Sequence, residues 1–229
     1  MRTEASSTSF ARKKNRYWQM ADPTQKPASP VELLSATARE FYRRGWARGG
    51  SGNYSALLAR RPMRLCITAA GDEIATLDDT NFLELDDDAE IIQGFGRPAD
   101  ETLLHLAIYR HRPKARCILY TQTVPGLLLA DRCFVDGGLM LKDFEALKGI
   151  EGANSAARVE KIPIVENSAD QVALSHVIAN VLIDNESSNA VLIRRHGLYV
   201  WGETIEQARR HAEIFEFLFE LTDRQRGAK

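Results

Sequence analysis

A chain of 229 residues with 44% hydrophobic side chains can bury one large core and fits a single domain. Its 30 basic residues nearly match its 31 acidic ones, and a net charge of −1 excludes a nucleic-acid or membrane surface built on bulk charge. The 3 cysteines (Cys66, Cys117, Cys133) lack Cys-x-x-Cys spacing, and no apolar run nears the roughly 20 residues that span a bilayer, so buried thiols in a cytoplasmic protein are expected.

Residues 1–28 are rich in Ser and Thr, with a basic knot, Arg12-Lys-Lys-Asn-Arg16, before Tyr17 and Trp18. They lack the apolar segment of a secretory signal and read as a flexible tail or, failing that, a short recognition segment. Ser29-Pro-Val-Glu32 is a capping box that opens a helix carrying Leu34, Ala38, Phe41 and Tyr42, which stops at Gly45. Gly49-Gly-Ser-Gly-Asn-Tyr-Ser55 is a glycine-rich loop leading into a strand over Tyr54–Ala59. Such a loop either bares N–H groups for an anion or is simply a turn.

Arg64–Thr68 and Phe82–Leu85 read as strands, and Asp86–Asp88 as a solvated acidic turn. Pro98-Ala-Asp-Glu-Thr-Leu-Leu-His105 opens a helix running toward Pro113, with His105 and His111 read as structural or exposed. Cys117–Thr123 is a strand whose two-residue period puts Tyr120 and Gln122 on one face. A short helix over Pro125–Asp131 and a strand over Arg132–Val135 should follow. Ile162–Val165 is a further strand, placed at an edge or a strand start by Pro163. Ser168-Ala-Asp-Gln171 reads as a capping box for a helix burying Val172, Ser175/His176 and Ala179.

Asn189–Ile193 is an apolar strand ending on Arg194, Arg195 and His196, and Gly197 turns the chain into a second strand, Leu198–Trp201. A histidine on such a turn is either a rigidly held ligand or proton carrier, or a packed turn residue. Thr204 and Gln207 form a capping box before a helix burying Ile205, Ala208, Ala212, Phe215 and Phe219. Strands and helices interleave without repeat or boundary, which predicts one layered α/β domain over residues 29–225.

The run Arg194-Arg-His-Gly-Leu-Tyr-Val-Trp-Gly-Glu-Thr204 resembles the signature of the methylthioribulose-1-phosphate dehydratases. These act in methionine salvage and belong to the class II aldolase/adducin superfamily. The resemblance implies a central sheet flanked by helices, a small-molecule substrate and a homotetramer with sites between subunits. It makes His196 the third ligand of a catalytic zinc. It puts Gly52 and Asn53 in a phosphate-binding Gly-Asn-x-Ser element, and Thr68 and Gly71 in a second phosphate loop whose serine is here Ala70. Glu101 matches a carboxylate that works at the metal, and Glu145 matches the proposed acid/base.

Besides Ala70, four positions depart from that pattern. Tyr120 and Gln122 stand where the family has two zinc-binding histidines, Asp143 replaces a histidine, and Asp100 replaces a small residue beside the phosphate. Neutral Tyr and Gln are poor zinc ligands, so no cofactor is expected unless Asp143, Glu101 or Glu145 substitutes for the lost imidazoles. A carboxylate beside a phosphate costs on the order of a few kcal/mol at a partly buried site.

The expectation is therefore a repurposed lyase-type enzyme acting without metal on a small carbonyl compound, by elimination, isomerisation or cyclisation. Glu145, Tyr120 and His196 would be catalytic, converging on one cavity at a subunit interface, with Glu101, also catalytic, lining it. Asn53, Gly52, Thr68, Gly71, Asp100, Gln122 and Asp143 would bind substrate. The alternatives are a non-catalytic adducin-like scaffold or partner subunit, and a genuine dehydratase of methionine salvage.

Overall fold

The computed structural model describes residues 28–50, 52–150 and 159–227. The expected N-terminal tail, with its basic knot, and Ser51 of the glycine loop lie outside these residues. Helix α1 (Pro30–Arg43) starts as its sequence requires: Ser29 Oγ accepts from the Glu32 N–H at 3.1 Å while the Glu32 carboxylate accepts from the Ser29 N–H. Leu34, Ala38 and Phe41 are fully buried. Tyr42 is 39% exposed rather than in the core, because it falls beside the buried stripe.

Among the described residues nine strands form one sheet: β1 (Tyr54–Arg60), β2 (Met63–Thr68), β3 (Phe82–Leu85), β4 (Ile91–Gln93), β5 (Cys117–Thr121), β6 (Gly138–Lys142), β7 (Val159–Val165), β8 (Ala190–Ile193) and β9 (Gly197–Gly202), in the order β4-β3-β2-β1-β5-β9-β8-β7-β6. Every pair is antiparallel except β7–β8. One face is covered by α1, α3 (Val124–Cys133) and α5 (Ile205–Gly227), the other by α2 (Thr102–His111) and α4 (Gln171–Asp184). The result is the expected layered α/β domain. β5 shows how the strands serve both layers. Cys117 and Leu119 pack under α1, α3 and α5, whereas Ile118 and Tyr120 pack under α2 and α4.

Several elements differ from expectation. Residues 132–133 complete α3 and 134–137 form a turn, so no strand lies there; Val135 is 91% exposed. The strand comes later, in β6, where Leu139 and Leu141 are fully buried and Met140 is 52% exposed, a two-residue alternation hidden behind Gly137 and Gly138. Pro163 is not at an edge: it closes the ladder with β6, and β8 pairs only with Ile164 and Val165. β7 changes partner at the one residue that has no N–H to donate.

Asp170, not Ser168, caps α4, accepting from the Ala173 N–H at 3.0 Å. The buried face of α4 is Leu174, Ile178 and Leu182, with Val172 and His176 exposed. At α5, Thr204 Oγ1 accepts from the Gln207 N–H at 3.1 Å, but the Gln207 side chain reaches back to Glu203 rather than to Thr204. Ala208, Ala212, Phe215 and Phe219 are buried as expected, and so are all three free cysteines. No helix among the described residues is long and apolar enough to cross a membrane.

Candidate functional site

The β8–β9 turn is built from a left-handed Arg195 (φ 56°) and Gly197. A Cβ on Gly197 would lie 2.5 Å from the Thr121 carbonyl oxygen and 2.7 Å from the Tyr120 ring, so only glycine lets the turn approach β5 this closely. Across that contact Tyr120 Oη and Gln122 Nε2 each donate to the backbone oxygen of His196 at 2.7 Å. Both lone pairs of one carbonyl are thereby filled.

The imidazole of His196 stacks at 16° on Tyr199, with Nε2 3.2 Å from the Tyr199 hydroxyl, and Tyr120 meets it edge-on at 5.3 Å. Burial lowers the His196 pKa, with Glu101 opposing the shift, and burial raises those of Tyr120 and Tyr199. The histidine is therefore neutral at neutral pH, and both phenols keep their protons.

Next to this turn, loops before β1, after β2 and before α2 enclose a cavity of about 650 Å³ lined by Gly52, Asn53, Gly71, Arg97, Asp100 and Glu101. Gly71 has φ 84°, and the Ala70 N–H donates to the Arg97 carbonyl at 2.9 Å, which closes the wall. Among the described residues the lining carries Asp72, Glu73, Asp100 and Glu101 against the single cation Arg97, an acidic balance. Glu101 also acts on the turn, because its charge raises the pKa of Tyr120, His196 and Tyr199. It is the carboxylate common to cavity and turn.

Thr68 is buried and does not line the cavity; its hydroxyl accepts from the Tyr54 N–H at 3.2 Å, fastening β1 to β2. Tyr54 is fully buried, and its hydroxyl has no hydrogen-bond partner among the described residues. A Cβ on Gly52 would sit 3.0 Å from that oxygen, so the glycine at the cavity wall leaves the phenol its space.

Beneath the turn, Ser55 Oγ bonds His105 Nδ1 at 2.7 Å and the Tyr109 hydroxyl at 2.8 Å. Burial pushes His105 down to about 3. The trio is closed to solvent and holds β1 to α2.

Glu145 does not join this group within one chain. It stands 76% exposed, paired to Lys148 at 2.6 Å, on a 3-10 turn (Glu145–Gly149) that follows the edge strand β6. The turn buries Leu147 in the α1/α3/α5 layer, on the opposite face of the sheet from Tyr120. Asp143, exposed with φ 63°, begins the same connection and lines no part of the cavity. Within one chain Glu145 and Tyr120 thus stand on opposite faces of the sheet; period-two alternation fixes a face for Tyr120 but says nothing about the face of a loop.

Two contributors escaped the sequence reading. Arg97 had no periodic neighbour to announce it. Tyr199 pairs directly opposite Tyr120 in the β5–β9 register and was accessible from strand alternation.

The donor set around His196 does not match a zinc centre. Among the described residues no three His, Cys, Asp or Glu side chains gather where they could hold a metal ion. Tyr120 and Gln122 direct their donors to a main-chain oxygen instead.

The family model of the class II aldolase and adducin N-terminal domain matches residues 32–222. A methylthioribulose-1-phosphate dehydratase of Methylococcus capsulatus is 33% identical over 90% of this chain and 98% of its own. That of Persephonella marina is 34% identical over 83% of this chain and 87% of its own. Among solved structures, an L-fuculose-1-phosphate aldolase of Thermus thermophilus superposes with TM-score 0.66 at 18% identity over 85% and 93% of the two chains. A sugar-phosphate aldolase of Thermotoga maritima gives 0.63 at 23% over 84% and 92%. These structures share the fold. With a family match across nearly the whole domain and a relative above 30% identity, the chain belongs to the class II aldolase/adducin family, as a member resembling the methylthioribulose-1-phosphate dehydratases.

Proposed function

We propose that the protein is a lyase-type enzyme that performs acid/base chemistry without metal on a small hydroxy-carbonyl compound lacking phosphate. Glu101 carries the reading, since it is the one carboxylate that both lines the cavity and acts on the His196 turn. In this reading Glu101 takes the proton α to the substrate carbonyl. The C–H electron pair becomes the enolate, whose oxygen the neutral His196–Tyr199 pair hydrogen-bonds; the β C–O bond then breaks, and the proton held by Glu101 passes to the leaving oxygen, which departs as water and returns Glu101 to its carboxylate. Isomerisation and ring closure share the first step.

Gly52, Asn53, Gly71 and Asp100 would bind the substrate. The acidic balance of the cavity supports a ligand without a phosphate dianion. The reading includes a cytoplasmic homotetramer. Phe95, 93% exposed and two residues from Arg97, supports a covering subunit that could bring its own acid/base group to the cavity. The dehydratase reading keeps one observation in its favour: Arg97 and the positive-φ glycines offer donors to an anion.

The test is substrate-agnostic. Chelator-treated protein is incubated in D2O with phosphorylated and unphosphorylated ketoses and hydroxy-ketones, and NMR follows loss of the α-proton. The reading expects exchange in unphosphorylated compounds, lowered at least about 100-fold by Glu101→Gln. Exchange confined to a phosphorylated ketose after zinc is added establishes the dehydratase. Exchange in no compound establishes the scaffold.

A further inference from the structure

Gln122 stands between two threonines that face the other way. Alternation aims Tyr120 and Gln122 at the His196 carbonyl, and Thr121 and Thr123 at α5. There both threonine hydroxyls donate to one carboxyl group: Thr121 to Glu216 Oε1, and Thr123 to Glu216 Oε2 at 2.6 Å. Thr123 is also the N-cap of α3, accepting from the Gly126 N–H at 3.2 Å. Glu216, 5% exposed, thus grips the last residue of β5 and the first turn of α3 at once. The residue between the two threonines, and the one just before them, are the two that hold His196.

We propose that Glu216 is a positioning residue for the His196 turn, acting from the far side of the sheet by fixing the end of β5, from which Tyr120 and Gln122 hold the His196 carbonyl. It touches no part of the candidate cavity, and the inference stands whether or not the protein is an enzyme.

A smaller cavity of about 350 Å³ beside Glu216 is lined by Arg44 and Arg48 from the segment after α1, and by Glu220, Asp223 and Arg224 of α5. These charges have partners of their own. Arg44 is shared by Glu40 and Glu213, Glu220 pairs with Arg224, Asp223 with Arg132, and Arg48 Nε bonds the Gly45 carbonyl. Burial, against the two threonine bonds, pushes the Glu216 carboxyl up to about 7. Any opening that brings water to it becomes easier as pH rises from the ordinary 4.5 toward that value, because the ionised form gains most from hydration.

Hydrogen exchange of the full chain, corrected for intrinsic rates and followed from pH 5.5 to 8.5, tests the proposal at residues 194–197. Wild type should lose protection as pH rises from 5.5 to about 7 and level off above it. Glu216→Gln, a permanently neutral isostere, should keep the protection and lose the pH step. Glu216→Ala should exchange about tenfold faster there at pH 6 than Leu182→Ala, a core truncation under α4. If Glu216→Ala fails to fold, the Gln variant still decides. A pH step that survives in Glu216→Gln, or turn exchange in Glu216→Ala no faster than in Leu182→Ala, overturns the proposal.

Discussion

The hydroxyl of Tyr120 donates to the backbone carbonyl of His196 at 2.7 Å, joining the middle of the sheet to the turn that carries the imidazole. The same oxygen accepts from Gln122, so each donor backs up the other. Tyr120→Phe and Gln122→Leu should each cost about 1 kcal/mol. The double variant should cost more than their sum, because only then is the carbonyl left without a partner. Urea unfolding of the four proteins in a double-mutant cycle measures the coupling; strict additivity would show that the two bonds act independently.

Replacing Tyr120 and Gln122 together by histidine should create a zinc site with His196, since the three positions share one end of two paired strands. Without metal the double variant should melt below wild type, having lost both donors to the carbonyl. Zinc should restore it. Wild type should carry well under one zinc per chain by elemental analysis, and stoichiometric zinc in wild type would contradict the metal-free reading.

Two buried groups set opposing pH dependences. His105 lies at about 3 in the fold against an ordinary 6.5, so the unfolded chain binds the proton first and stability falls as pH drops from 6.5 toward 3. Glu216 lies at about 7 against 4.5, so the folded chain holds the extra proton and stability falls as pH rises from 4.5 to 7. Each contributes a slope of about 1.4 kcal/mol per pH unit, and between 4.5 and 6.5 the two cancel. Glu216→Gln should therefore unmask a stability that rises with pH in that window, and His105→Gln one that falls. Chemical denaturation at pH 5 and 6 distinguishes these slopes from a common one.

Gly197→Ala should be destabilising by more than about 2 kcal/mol, because its Cβ meets the Thr121 carbonyl, a backbone atom with nowhere to move. Gly71→Ala meets no atom within 4 Å and should cost only the strain of its positive φ. Thermal melts of the two variants side by side separate close approach from backbone conformation.

The layered fold was legible because its signals are local: the Ser29 capping box, the alternation of β5, and the stripe of α5. The glycine loop and the Pro98–Glu101 segment also foretold the cavity wall. The role of Tyr120 and Gln122 was not legible. Strand period told which way their side chains point, but whether they meet a metal, a substrate or a main-chain oxygen depends on where β9 turns, which Gly197 decides through space. Glu145 and Glu216 show the same gap. Both are carboxylates on connections or helices whose sheet face the sequence does not record, and the buried one was passed over because Phe215 and Phe219 explained that helix.

An anchor made to a backbone oxygen is indifferent to the side chain that residue carries. Any amino acid placed at position 196 still presents the carbonyl to which Tyr120 and Gln122 donate. A turn fastened through zinc would be lost with its histidine. Here a change of side chain at the tip of the turn gives up only the imidazole's own contacts with Tyr199 and Tyr120 while the mooring stays in place, so new chemistry can be tried at this position with the turn still fastened.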